Sequence, residues 1–172
     1  PLQVAVTPTA TGQSIVLRVP ESAELPARAA EDIRSLLSGA LSARRGLVLV
    51  AAGAVGVRTA ALGVVRSSID ADRRVVAVGG GLPVTDTVVV PATDVAELAT
   101  VMHDYDADTV IVHDAAVLGD AILDIAAEAL VVVAVRAPDA ASAIHRVARL
   151  TGDGATVAEV TLAALALRTP DR

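Results

Sequence analysis

The sequence predicts an α/β fold, a largely parallel sheet with helices on both faces, preceded by a β-hairpin. Three observations predict it. The apolar runs at 47–50, 75–78 and 130–135, and 109–112 with its one threonine, have the length and Val/Leu richness of strands buried on both faces. Segments of helical periodicity stand between them. With 172 residues, 53% of them hydrophobic and 20% charged, the chain is long and apolar enough to bury a sizeable core.

The elements follow in order. Residues 3–7 and 13–19 read as short strands around a turn at 8–12, which makes a hairpin. Residues 20–26 read as a linker. The stretch 27–43 places Ile33, Leu36, Leu37, Ala40 and Leu41 at helical spacing, with Glu31 and Asp32 near its start. Strand 47–50 leads into a loop with Gly53 and Gly56, then a helix over 58–69. Strand 75–78 runs into a glycine break at 79–83. The alternation continues with strand 87–90, helix 93–105, strand 109–112, helix 121–129 and strand 130–135. A helix over 139–150 and a further helix over 157–167 complete the chain. The hairpin does not fit this rhythm. Residues 1–25 are therefore expected to be the remnant of a preceding domain, and 26–172 the main domain.

Composition excludes several functions. No cysteine means no disulfide frame, no thiolate metal site and no cysteine nucleophile. The three histidines, His103, His113 and His145, are scattered, so no metal site is expected. A net charge of −6 and a single aromatic residue, Tyr105, argue against nucleic-acid binding, which needs basic and stacking side chains. All 14 basic residues are arginine. No secretory-leader pattern is visible at the N-terminus. The longest apolar runs, 46–57 and 129–135, are too short to cross a bilayer, so no transmembrane segment is expected.

In such a sheet, function sits at the carboxyl ends of the strands, and four places there carry candidate residues. The segment 51–59 occupies the position of a phosphate loop, G-x-x-x-x-G-K-[ST]. Ala52 stands at the first glycine, Val57 at the glycine before the lysine, and Arg58 at the lysine; only Thr59 survives, and Gly53 and Gly56 fall on positions the pattern leaves open. A β-branched Val57 disfavours a tight loop's positive φ, and a forked guanidinium is no neutral replacement for an ammonium. The segment reads as a plain strand-to-helix connection or as a weak anion site at a helix N-terminus. Gly79, Gly80 and Gly81 read as a mobile loop or as a close backbone approach to a ligand. His113 and Asp114 follow an apolar strand, where Asp114 is a helix N-cap or a Mg²⁺- and water-positioning carboxylate. Arg136 could meet an anion or a neighbouring subunit, and Asp139 could cap the next helix.

Taken in order, these segments resemble the motor domain of the type II secretion and type IV pilus assembly ATPases. Pro8, Thr9 and Gly12 before 15–18 resemble that family's P-T-x-x-G-E-x-x-V-L-R hairpin. Gly46 to Val50 resembles G-[IL]-[IV]-L-V, and Arg58 to Leu62 falls on K-T-T-T-L. Residues 106–114 match D-P-D-V-I-M-V-G-E without a gap, and 139–146 match D-A-P-S-A-I-T-R without a gap. The resemblance implies a RecA-like P-loop fold, a hexameric motor, ATP and Mg²⁺ as ligands, and a place at the cytoplasmic face of a bacterial inner membrane.

The departures fall on the chemistry. The family's G-P-T-G-S-G-K-T becomes residues 52–59, A-G-A-V-G-V-R-T. Its acidic box E-D-P-V-E falls within 79–84, which holds no carboxylate. Its Walker B glutamate falls on Asp114, and its H-T-N-D histidine on Arg136. Phosphoryl transfer is catalysed by positioning and electrostatics, and losing one such group costs ~10²–10³ in rate. The chain is therefore expected to be a pseudo-ATPase: no enzyme, no bound cofactor, an interaction or scaffold domain. Its expected partners are proteins, an active motor subunit or a second copy of itself. Localisation is expected to be cytoplasmic, peripheral to the inner membrane through partners. The alternatives are a nucleotide or anion sensor without turnover, built on Arg58, Thr59 and Asp114, and an active ATPase with an unusual loop.

Overall fold

The computed structural model describes residues 3–9, 12–18, 25–79, 88–90 and 95–167. Strands β1 (Gln3–Thr9) and β2 (Gly12–Arg18) pair antiparallel, Gln3 opposite Arg18, as a two-stranded sheet of their own. The expected hairpin is therefore present, with strands running further toward the turn.

Six further strands form one sheet. They are β3 (Gly46–Ala52), β4 (Val75–Val78), β5 (Val88–Val90), β6 (Thr109–Val112), β7 (Leu130–Val135) and β8 (Thr161–Leu167), in the order β5-β4-β6-β7-β3-β8. Every pairing in it is parallel. The predicted class, a parallel sheet flanked by helices, is the observed one. Parallel neighbours need crossover connections, and among the described residues helices provide them from β3 to β4, β5 to β6, β6 to β7 and β7 to β8.

Both faces are covered, so strand residues divide by parity between two apolar layers. Leu47, Leu49, Val110, Val112, Val131 and Val133 face one layer, together with Leu98, Ile122, Val147 and Val157. These four come from α3 (Val95–Asp104), α4 (Ala121–Glu128), α5 (Ala140–Thr151) and α6 (Gly154–Val160). Val48, Val50, Ile111, Leu130 and Val132 face the other layer. There they meet α1 (Ala27–Leu41), through Ile33, Leu37 and Leu41, and α2 (Val55–Ser68), through Ala61, Leu62 and Val65. Each buried Leu or Ile stabilises by about 1.5–3 kcal/mol relative to exposure, which is why these strands tolerate almost no polarity. Thr109 is the polar exception, and its hydroxyl donates to Asp108 Oδ1 at 2.9 Å and accepts from Arg73 Nη1 at 3.2 Å.

Two expectations are corrected. The helix expected over 58–69 begins at Val55, so Gly56 and Val57 lie in its first turn rather than in a loop. The Arg58 amide closes that turn on the Ala54 carbonyl at 3.2 Å. The helix expected over 157–167 is instead α6 followed by strand β8. Ala and Leu are good helix formers, but the open edge of β3 outweighs that local preference. Thr161 ends α6, its hydroxyl donating to the Val157 carbonyl at 2.6 Å, and the chain then pairs with β3 from Leu47 to Ala52. Residues 20–24 of the expected linker 20–26, and residues 80–83 of the glycine break, lie outside the described residues.

Gly46 opens β3 at a φ of +123°, a conformation that side chains avoid. A Cβ there would sit 2.7 Å from Leu162 Cδ1 and 3.1 Å from the Val160 carbonyl oxygen. Gly53, by contrast, has open space around its would-be Cβ. Gly46→Ala is expected to destabilise by about 1–3 kcal/mol, and Gly53→Ala to stay within about 0.5 kcal/mol of the parent. Chemical denaturation of the two variants checks the contrast.

Candidate functional site

Strands β3, β7 and β6 are neighbours, and their carboxyl ends bring three connections together: 53–54, 136–139 and 113–114. This is the crevice in which the sequence places its candidates. The first connection is short. Ala54 caps α2 in an extended conformation and gives no side-chain bond to the first-turn amides. Among the described residues the only left-handed backbone lies at Gly46, Gly79, Asp106, Gly119 and Gly152. Gly53 and Gly56 therefore use no conformation reserved for glycine, and Val57 sits in ordinary helix.

Arg58 occupies the lysine position, and its side chain points back onto its own loop. Nη1 donates to the Ala52 carbonyl at 3.0 Å and to the Gly53 carbonyl at 3.1 Å. The residue is 4% exposed, the one buried charged residue described, and its Nε has no hydrogen-bond partner. A phosphate loop turns N–H groups toward its ligand. Here the strand end turns two carbonyl oxygens toward a guanidinium, and the cation is internal. Burial lowers the Arg58 pKa, the field of Asp114 opposes this, and Arg136 and Arg146 add to the lowering. Arginine nonetheless keeps its charge at any physiological pH.

Thr59 is also engaged. Its hydroxyl donates to the Val55 carbonyl at 3.1 Å, and its Oγ1 lies 2.8 Å from His113 Nε2. A hydroxyl has one hydrogen, so with that hydrogen on Val55 the imidazole donates from Nε2. The oxygen that would meet Mg²⁺ in a phosphate loop is thus shared between a helix carbonyl and a histidine. Asp114 stands in extended backbone as the cap of a 3₁₀ turn (Ala115–Val117), its Oδ1 accepting from the Ala116 amide at 3.0 Å. Asp139 caps α5, accepting from the Ser142 amide at 2.7 Å. Both perform the helix-capping role weighed for them.

Arg136 is exposed at the end of β7, and its carbonyl accepts from Arg146 Nη1 at 3.5 Å. Arg58, Arg136 and Arg146 thus lie within electrostatic reach of one another, with Asp114 the opposing charge. Gly79, at φ +94°, is buried, and its amide donates to the Val90 carbonyl at 3.2 Å; Gly80 and Gly81 lie outside the described residues. Sequence reasoning missed the Thr59–His113 contact and the approach of Arg146. The arginine ending the 139–146 segment was the available signal for the second. Among the described residues no group of three His, Asp or Glu could hold a metal ion.

Burial lowers the His113 pKa below its usual 6.5, Arg58 lowers it further, and Asp114 works the other way. A histidine held neutral by folding contributes stability that is whole above the unfolded value. That stability is lost as pH falls through about 6.5 toward the folded value. Urea melts should show the chain less stable at pH 5 than at pH 7.5, and His113→Gln should shrink that difference.

No family model matches the sequence, and comparison with curated proteins gives no match. Solved structures do match. The X-ray structure of the Legionella pneumophila ATPase DotB aligns with TM-score 0.56 and 14% identity, covering 93% of this chain and 51% of that one. The Yersinia pseudotuberculosis ATPase DotB gives 0.55 and 10%, covering 93% and 48%. The VirB11 ATPase of the Brucella suis type IV secretion system, solved in complex with sulphate, gives 0.54 and 13%, covering 92% and 62%. This chain spans about half the length of the DotB chains. Nearly all of it shares with these ATPases one fold, a parallel α/β sheet flanked by helices.

Proposed function

We propose that this chain is an ATPase-like domain without ATP turnover, acting as an interaction or scaffold module in the bacterial cytoplasm. The observation that carries this reading is Arg58, which stands where a phosphate-binding lysine is expected, is buried, and turns its Nη1 back onto the carbonyls of Ala52 and Gly53. Thr59, committed to Val55 and His113, supports it. So does the absence of a carboxylate from 79–84. Each group withdrawn from phosphoryl transfer would cost ~10²–10³ in rate, and here several are withdrawn together while the apolar strands are kept.

The likeness to DotB and VirB11 supports the broad kinship with secretion ATPases. The narrower kinship, with type II secretion and type IV pilus motors, rests on the ungapped segments 106–114 and 139–146. The partner under this reading is an active motor subunit or a second copy of the chain, and contact with the inner membrane would pass through partners. Among the described residues no helix is long and apolar enough to cross a membrane.

One observation favours a second reading, an anion sensor without turnover: Arg58, Arg136 and Arg146 gather at one sheet end of a chain whose net charge is −6. A thermal-shift titration with ATP and with inorganic phosphate, each with and without Mg²⁺, separates the cases. A ligand at roughly 100 times its Kd stabilises by about 2.7 kcal/mol, several degrees for a domain of this size. The scaffold reading expects no shift at millimolar nucleotide and no phosphate release. A shift with ATP and phosphate alike, independent of Mg²⁺ and without turnover, transfers the assignment to the sensor. A Mg²⁺-dependent shift with phosphate release that Asp114→Asn abolishes overturns both.

A further inference from the structure

Strand β8 is an edge of the sheet, and no described strand pairs with its outer side. Proteins blunt such edges with charge, proline, shortness or bulges, because unpaired N–H and C=O groups invite another strand. The opposite edge, β5, has only three residues. β8 has seven, T-L-A-A-L-A-L, with no charge, proline or glycine. Its pairing with β3 shifts between Leu47/Thr161 and Val48/Ala163, leaving Leu162 as an extra, exposed residue. After that bulge, Ala163 to Leu167 run in regular register with Val48 to Ala52.

Both faces of that regular stretch are apolar and only partly covered. Ala164 and Ala166 pack against one layer, Ala163, Leu165 and Leu167 against the other, and all five stay half-buried, whereas every residue of β3 is buried. A strand added outside β8 would continue both layers, so it must be apolar on both faces. An ordinary half-exposed strand, alternating apolar and polar, would bring polar groups against one of them. This chain carries a strand of the required kind at the required place, β8 itself.

We propose that β8 is a self-association surface on which a second copy of this chain adds its own β8, antiparallel, about a two-fold axis through Leu165. That axis sets Ala163 opposite Leu167 and Ala164 opposite Ala166, a small residue in every cross-strand pair except the central one, and keeps each side chain on its own face. The strand has no charge to repel its copy. A two-fold contact of this kind closes at two chains. The inference deepens the scaffold reading by naming a partner, and it stands on a different strand from Arg58. Nucleotide turnover would sink that reading without touching β8, and a failure at β8 would leave that reading standing with a different partner.

The test is sedimentation of the 172-residue chain across a wide concentration range, with amide hydrogen exchange at both ends of it. A mass rising to two chains, with exchange at Ala163–Leu167 slowing as the dimer forms, is the expected result. A monomer throughout, an open-ended series of larger masses, or a dimer whose β8 amides exchange as in the monomer each overturns it. Ala164→Lys should abolish the dimer with the far-ultraviolet spectrum unchanged; if that variant unfolds, the exchange measurement on the parent decides alone.

Discussion

Coverage of the sheet on both faces is the constraint from which the rest follows. A strand with helices on either side has no solvent face, so each residue of β3, β4, β6 and β7 must be apolar or find a bonded partner inside. Thr109 shows the cost of the exception: it needs both Asp108 and Arg73. Arg73 in turn reaches the carbonyls of Ser42 and Ala43, at 3.2 and 2.7 Å, and so ties the segment after α1 to the start of β6. The same coverage leaves the strand ends as the places where polar chemistry can gather.

At the carboxyl end most of the groups that gather are bonded inside the protein, although Arg58 Nε finds no partner. Arg58 answers two carbonyls, Thr59 answers a carbonyl and an imidazole, Asp114 and Asp139 answer backbone amides. The residual positive character comes from Arg136 and Arg146, which are exposed and stand at the rim.

Much of this was legible in the residues. The buried strands announce themselves as short Val- and Leu-rich runs, and α1 by the spacing of Ile33, Leu37 and Leu41. Asp139 was readable as a cap because it precedes a periodic segment. The start of α2 was not, since glycines suggested a loop and only the backbone bond from Arg58 to Ala54 shows the turn already closed. β8 was hidden for a different reason. Its Ala-Leu composition suits a helix, and its strand state depends on the edge of β3, which lies more than a hundred residues away in sequence. At the site, residue types could be aligned with a phosphate loop, but the direction in which the Arg58 side chain turns is a property of the fold.

The Arg58 bonds also bear on how this sequence can change over generations. The guanidinium and the carbonyls of Ala52 and Gly53 depend on each other. A mutation that shortens the side chain leaves the buried Ala52 carbonyl without this donor, at a cost of about 1–3 kcal/mol. One that turns the carbonyls outward leaves the cation buried without partners. Neither step is neutral when taken first, so the loop and the arginine form a pair that drift can alter only together. The present arrangement is in that sense an evolutionary trap: easy to keep, and hard to leave by single substitutions.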